Sequence, residues 1–302
     1  MDFRDMSYVL AIARYGSITK AANALYIGQP TLTKFLQKLE KDLNQRLFDR
    51  LGNQFIPTYA GERYIEKASA ILNLKDELDH ELHDIINEHV GVLKIAFPNM
   101  RGTNMMPSTI PVFRKMYPHV QLSIYEGNSM DLEQRLLTGE VDLAFFNLPA
   151  ISPNLDYEMI SREEILVMVP ADNPLCKKGV VKPGCRHPWI DFSLFQDELF
   201  VLQDPEQRTR QTEDSLFRQF GFEPRVLLVT QNVQAACLLV AKGQGVCLVN
   251  ESHIKNIPFE QTPMVFSIGN PCTTVDFVAA FRKGRYLPQH AKDYIKIVRE
   301  YC

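Results

Sequence analysis

Up to about position 90 the apolar residues recur every three or four places, and beyond it they gather in short runs that alternate with helical stretches. The first regime predicts helices, the second strands interleaved with helices. Phe3, Met6, Val9, Leu10 and Ala13 predict a helix over about 3–15, ended by Gly16. Ser17 is an N-cap for a second helix through Leu25, and the small Ala21, Ala22 and Ala24 let a neighbour approach closely. A third helix opens at Gln29-Pro30, where proline fits because its missing N–H would be unpaired in a first turn anyway. Its stripe is Leu32, Phe35, Leu36, Leu39 and Leu43, and its polar face carries Thr31, Thr33, Lys34, Gln37, Lys38 and Lys41. Leu51-Gly52-Asn53-Gln54 reads as the tip of a small wing.

From Thr58 to about His89 there is no proline, and Gly61 is the lone glycine. Tyr64, Ala68, Ile71, Leu78, Leu82 and Ile85 fall on alternating spacings of four and three, with Lys75 interrupting the seam. Such a helix of roughly 30 residues spans ~45 Å. It either packs on its own domain or pairs with a second chain, and its place between two globular parts favours pairing.

The remainder predicts strands at 92–97, 120–125 and 141–146 with helices at 104–116 and 130–137 between them. A second set follows at 165–169, 199–202, 225–229 and 245–249, with helices at 212–220 and 233–242. This alternation is the signature of α/β architecture with a largely parallel sheet. The last strand and helix, 274–281 and 289–301, cannot stand alone and are expected to return to the first lobe.

Composition sharpens the division. The chain of 302 residues is too long for one ordinary core, and its net charge of −3 argues by itself against nucleic acid. Residues 1–58, however, hold eight Lys or Arg against five Asp or Glu, while the rest hold 25 against 31. A basic module on an acidic body fits a DNA reader. No apolar run is long enough to span a membrane. The N-terminus MDFRDMSYVLAIARYG lacks a basic leader and a cleavage site, so a cytoplasmic protein without a signal peptide is expected. Cys176, Cys185, Cys237, Cys247, Cys272 and Cys302 form no CxxC pair, so neither a metal site nor a cofactor is expected and the thiols read as reduced.

On the third helix, first-turn N–H groups attract phosphate, Lys34 and Lys38 lie one turn apart for backbone contacts, and Gln29, Thr31 and Thr33 can reach base edges. The plain alternative is a solvated helix face. The register Gly16-Ser17-Ile18, Ala21-Ala22, Leu25, Gln29-Pro30, Leu39-Glu40, Leu43, Leu47-Phe48, Arg50 and Thr58-Ala60-Gly61 resembles the LysR-type transcriptional regulators. GVLKIA, LLTGEVDLAFFN, LLVAKGQGVCLV and FRKGRYLP extend the likeness over nearly the whole chain.

The resemblance implies an all-α winged helix-turn-helix over 1–58, a linker and dimerisation helix over 59–90, and a two-lobed α/β effector domain of periplasmic-binding-protein type over 91–302. Lobe one would be 91–161 with 266–302, and lobe two 162–265. Double-stranded DNA would meet Ser17, Gln29, Pro30, Thr31, Thr33, Lys34, Lys38 and Arg50. The resemblance also implies dimers paired into tetramers. Two departures stand out: Gly28 replaces the usual serine, and the wing is poor in arginine.

Ligands of such folds bind outside strand ends, near helix N-termini. That rule selects the turn Pro98-Asn99-Met100-Arg101-Gly102-Thr103, then Asn128, Ser129 and Asn147, and across the cleft the run 203–210 and Gln231 with Asn232. Of these, Asn99, Met100, Arg101, Gly102, Thr103, Asn128, Ser129, Asn147, Gln203, Gln207, Arg208 and Gln231 are taken as the effector site. Arg101 and Arg208 on opposing lobes suggest a small anionic effector, a carboxylate; alternatively they pair with acids such as Glu126 or Glu206. No GxSxG, Walker loop or HExxH is present, so no catalytic residue is expected. A thiol-sensing regulator using Cys176 and Cys185 is the remaining alternative, beside an enzyme or a free solute-binding protein.

Overall fold

The computed structural model describes residues 2–52, 54–86, 91–149 and 152–301, the side chains of residues 80 and 83–86 excepted. The expected end of the long helix near His89, the Ile85 side chain, Asn53 at the wing tip and Cys302 lie outside the described residues. Two compact units emerge, Met1–Glu88 and His89–Cys302. No helix among the described residues is long and apolar enough to cross a membrane.

The first unit holds α1 (Phe3–Tyr15), α2 (Ile18–Ala24), α3 (Gln29–Leu43), a hairpin of β1 (Phe48–Leu51) and β2 (Gln54–Pro57), and α4 (Tyr59–Ile86). A capping box of Asp2 and Asp5 starts α1, Gly16 ends it at φ 58°, and Ser17 caps α2 by accepting from Lys20 N at 3.4 Å. Val9, Ile12, Ala21, Ala22, Leu32, Leu36, Leu39, Leu47 and Phe48 form the core. The α1 stripe therefore turns on Met6, Val9 and Ile12, while Phe3 stays exposed. Leu43, expected inside, is exposed as well, and Phe35 meets Tyr8 edge-on at 5.1 Å. Gly61 is indispensable for this packing: a Cβ there would lie 1.9 Å from Leu47 O.

Along α4, Ala68 is buried, whereas Ile71, Leu74, Leu78 and Leu82 form an exposed apolar row. Leu74 takes the seam position that spacing had given to Lys75, and Lys75 turns aside to Asp79 at 2.5 Å.

In the second unit, β3 (Gly91–Pro98), α5 (Asn99–Met116), β4 (Val120–Gly127), α6 (Ser129–Thr138) and β5 (Leu143–Asn147) build lobe one. β6 (Leu155–Val169) then runs unbroken from lobe one into lobe two. Lobe two adds β7 (Leu199–Gln203), α7 (Arg208–Phe220), β8 (Arg225–Thr230), α8 (Val233–Ala241), β9 (Cys247–Asn250) and β10 (Met264–Ser267). The chain returns through β11 (Thr274–Arg282) and ends in α9 (Gln289–Tyr301).

One sheet of order β10-β6-β11-β5-β3-β4, with β9 also on β6, passes through both lobes, and β7 with β8 forms a separate pair. The β3–β4, β3–β5 and β7–β8 pairings are parallel, as the alternation predicts. The crossover strands β6 and β11 instead run antiparallel to each other and to their other partners, because the chain must leave lobe one and come back. β10 pairs with Leu166–Val169 as far as Ser267, so the return lies after that residue. Tyr294 of α9, fully buried, bonds Thr109 of α5 at 2.9 Å and seals one face of lobe one, while Phe192, Phe195, Phe200 and Phe217 fill lobe two.

Candidate functional site

Two sites emerge, one in each unit. In the first unit α3 shows solvent one continuous polar side. Gln29, Pro30, Thr31, Lys34 and Lys38 are all exposed, while Leu32, Leu36 and Leu39 anchor the opposite side. Gly28 begins the helix with no side-chain cap; in the first turn Pro30 has no N–H and Thr31 N donates to Gly28 O at 3.0 Å, so the positive end of the helix lies beside the two lysines. Thr33 differs from its expected role: half-buried, it turns its hydroxyl back to Gln29 O at 3.0 Å. Ser17 is likewise engaged locally, in the α2 cap. Arg50 lies exposed on the wing, with Nε donating to Gly52 O at 3.3 Å and its guanidinium 5.8 Å from the Phe55 ring. Glu40 ties the wing to the helix by accepting from Leu47 N at 2.7 Å and Phe48 N at 3.2 Å.

The second site is a cleft of about 780 Å³ between the lobes. It is lined by Asn99, Met100, Arg101, Thr103, Asn128, Ser129, Asn147, Gln207, Arg208 and Gln231, all selected from the sequence. Two selected residues lie elsewhere. Gly102 is buried against Glu126, whose Oε1 would be 2.5 Å from a Cβ there, and Gln203 points into lobe two with neither side-chain polar atom partnered. Pro98, Glu206, Thr209 and Asn232, from the same turns and strand ends, also line it, whereas Tyr125, Gly127, Asp131, Val233, Gln234, Asn250 and His253 were not singled out from the sequence. Asn232 sits just before a helix that it caps by accepting from Ala235 N.

Helix α5 opens at Asn99, five residues before the expected start, so residues 99–103 are its first turn rather than a connecting loop. The N-termini of α5, α6, α7 and α8 all open onto the cleft. Asn128 and Asn232 cap α6 and α8, but no side-chain cap closes α5 or α7. Their first N–H groups are oriented for a ligand that brings negative charge.

The two arginines, by contrast, are committed to acids other than the two anticipated. Arg101 donates to both carboxylate oxygens of Glu163 at 2.6 and 2.8 Å, to Asn147 Oδ1 at 3.1 Å, and lies 3.9 Å from the Phe277 ring centroid. Arg208 bonds Glu133 and Asn147 O, over the Phe146 ring. All four charged side chains are buried. Burial pushes the Glu163 carboxyl up, but Arg101 and Ser252 outweigh it and hold it below the usual range. Burial lowers the Arg208 guanidinium against the pull of Glu133. Neither arginine is thus an idle cation awaiting an anion, which corrects the expected basis of effector charge.

Asn250 and His253 are the neutral counterparts. Both are buried in the lining; the two polar atoms of the Asn250 amide and Nδ1 of His253 have no protein partner. Burial, then Arg101, pushes His253 down to about 3, so its imidazole is neutral. Among the described residues no His, Cys, Asp and Glu cluster could hold a metal ion. The expected partners Cys176 and Cys185 have different neighbours: Cys176 Sγ donates to Pro170 O, whereas Cys185 faces Cys272.

The family model for the LysR substrate binding domain matches residues 87–302, and that for the bacterial regulatory helix-turn-helix protein, lysR family, matches residues 3–62. The chain is 30% identical to the uncharacterized HTH-type transcriptional regulator YcgK of Bacillus subtilis, covering 99% of this chain and 94% of that one. It is 26% identical to the hca operon transcriptional activator HcaR of Escherichia coli, covering 99% and 98%. Among solved structures, a full-length OxyR variant from Pseudomonas aeruginosa aligns at TM-score 0.75 and 22% identity, covering 100% of this chain and 94% of that one. Full-length CbnR complexed with its target DNA aligns at TM-score 0.63 and 23% identity, covering 100% of both. The last two likenesses speak to the fold.

Proposed function

The chain belongs to the LysR family of bacterial helix-turn-helix regulators, a DNA-binding and non-catalytic role with a small-molecule effector pocket, and from that premise we propose how it reads DNA and what it senses. Helix α3 enters the major groove. Lys34 and Lys38 neutralise phosphates, Gln29 and Thr31 meet base edges, and Pro30, Ser17 and Arg50 set the approach, with Thr33 acting through the helix backbone. The observation that carries this reading is the polar exposure of one α3 side beside an uncapped N-terminus.

Residues 1–58 form the reading head, 59–90 the pairing helix and 91–302 the sensor. The exposed row Ile71, Leu74, Leu78 and Leu82 supports pairing of two chains through α4, since a contiguous apolar seam is unfavourable in water. A dimer sets two heads on half-sites one turn of duplex, ~34 Å, or a multiple of it apart, and dimers join into tetramers. Acting on DNA, the protein works in the cytoplasm.

The effector is a small carboxylate. Its anionic end is held by first-turn N–H groups of α5 and α7, with Asn250 and His253 meeting its remaining polar atoms. Arg101 and Arg208 shape the site without spending their charge on the ligand. The effector changes DNA binding only by favouring one arrangement of the lobes over another.

A thermal-shift screen of the full chain against small carboxylic acids and their amides tests this. A carboxylate that raises the melting temperature, with its amide inert, supports the reading. A response to neutral amides alone contradicts it.

A further inference from the structure

A site outside the cleft lies where the chain crosses back between the lobes. Cys185 Sγ donates to Pro271 O at 3.3 Å, and Cys272 Sγ donates to Gly184 O at 3.4 Å. This reciprocal exchange lays the 184–185 loop against the 271–272 turn as antiparallel neighbours. The Cys185 thiol and the Glu164 carboxylate both lie near enough to the Cys272 thiol to push it up. Both cysteines are half-buried, and the flanking Gly184 and Pro271 are exposed, so a small reagent can approach.

The surroundings are built around Glu164, which is itself buried. Its Oε1 accepts from Arg186 N at 2.8 Å, and Ser267 Oγ bonds its other oxygen. Arg186 also donates to Arg162 O at 2.7 Å, and Ile165 N donates to Thr273 O at 2.9 Å. The loop and both crossover segments therefore meet at these two thiols. A second contacting pair, Cys237 and Cys247, lies fully buried in the lobe-two core, where a reagent cannot reach it.

We propose that Cys185 and Cys272 form a reversible dithiol–disulfide site, oxidised by exchange with a low-molecular-weight disulfide and linking the 184–187 loop to the return crossover. The Cys185 sulfur attacks one sulfur of RSSR and forms Cys185–S–S–R, while its proton leaves with the displaced RS⁻ as RSH. Cys272 then attacks the Cys185 sulfur, and its proton leaves with the second displaced RS⁻ as RSH. Two protein S–H bonds are lost, one S–S bond is gained, and RSSR is reduced to two RSH. Burial, then the charge of Glu164, pushes the Cys272 thiol up to about 11, which suits Cys272 to the second, resolving step. The bond fixes the loop to a crossover that must flex whenever the lobes move.

The test equilibrates the full chain with graded mixtures of reduced and oxidised glutathione, then quenches, alkylates and maps peptides by mass spectrometry. A Cys185–Cys272 linked peptide should accumulate as the mixture becomes more oxidising and vanish on adding dithiothreitol, with Cys237 and Cys247 still thiols. Cys272→Ser should stop at a glutathione adduct on Cys185, and Cys185→Ser should give no link. Alkylation of both thiols across the whole series, a bridge from Cys185 to Cys176, or an unresolved wild-type adduct on Cys185 each overturns the proposal.

Discussion

Arg208 of α7 in lobe two hydrogen-bonds Glu133 of α6 in lobe one, and both side chains are buried. Glu133 also accepts from Ser152 N at 2.5 Å, and Arg208 donates to Asn147 O at 3.0 Å, so each charge has a second partner. Removing one member strands the other charge away from water at a cost of about 3–5 kcal/mol, whereas removing both leaves no ion behind. Glu133→Gln should therefore lower urea-unfolding stability by about that amount. The double change Glu133→Leu with Arg208→Met should cost less than either single change. Equal or larger loss in the double variant would refute the buried-charge account.

Glu213 gives the effector domain a pH dependence of known sign. Burial, only partly opposed by Gln203 N and Arg210, raises its carboxyl from 4.5 to about 8. An acid raised in the folded state keeps its proton there while the unfolded chain has lost it, so stability is full below pH 4.5 and falls as pH climbs to about 8. The slope for this group approaches ~1.4 kcal/mol per pH unit. Glu213→Gln removes that slope, so melting temperatures of variant and wild type should diverge steadily as pH rises, the variant being higher. Parallel curves would show that Glu213 does not titrate in this window.

Gly28 begins α3 with extended backbone and no cap, and a Cβ there would meet only Thr31 Oγ1 at 3.6 Å and Pro30 Cδ at 3.7 Å. Both are ordinary contacts. Gly28→Ser should raise head stability by a few tenths of a kcal/mol through a side-chain cap. Differential scanning calorimetry of the full chain checks it; a lowered head transition would contradict the open geometry.

Asn250 is buried in the cleft lining with an unpaired amide. Exchanging it for Leu removes a desolvated polar group, so the ligand-free protein should hold or gain about 1–3 kcal/mol. Its melting-temperature response to any carboxylate hit should shrink. A full response in Asn250→Leu would move the ligand away from this residue.

How far the sequence foretold this molecule depends on the range of the physics involved. Helices α1 to α3 were legible because caps and periodicity are local: Ser17, Gly16 and Pro30 mark their own boundaries. Ten cleft residues were legible because strand ends and helix starts are local too. The partners of Arg101 and Arg208 were not, since Glu163 and Glu133 come from distant segments joined only by the crossover. Leu74 was missed because the seam was counted through Lys75, and nothing nearby reveals which of two adjacent residues faces out. Asn250 and His253 were hidden because an unpaired buried polar group exists only once the lobes have closed around it.

The most direct test of DNA reading compares wild type with a Lys34→Ala, Lys38→Ala variant on duplexes selected from a randomised library by the full chain. Each lysine neutralises one phosphate, so the slope of log affinity against log salt should fall by about 0.9 for each lysine in each bound head. The account predicts an interrupted palindrome enriched by wild type, and a variant with weakened affinity and a shallower slope on that same duplex. Unchanged affinity and slope in the variant would contradict it.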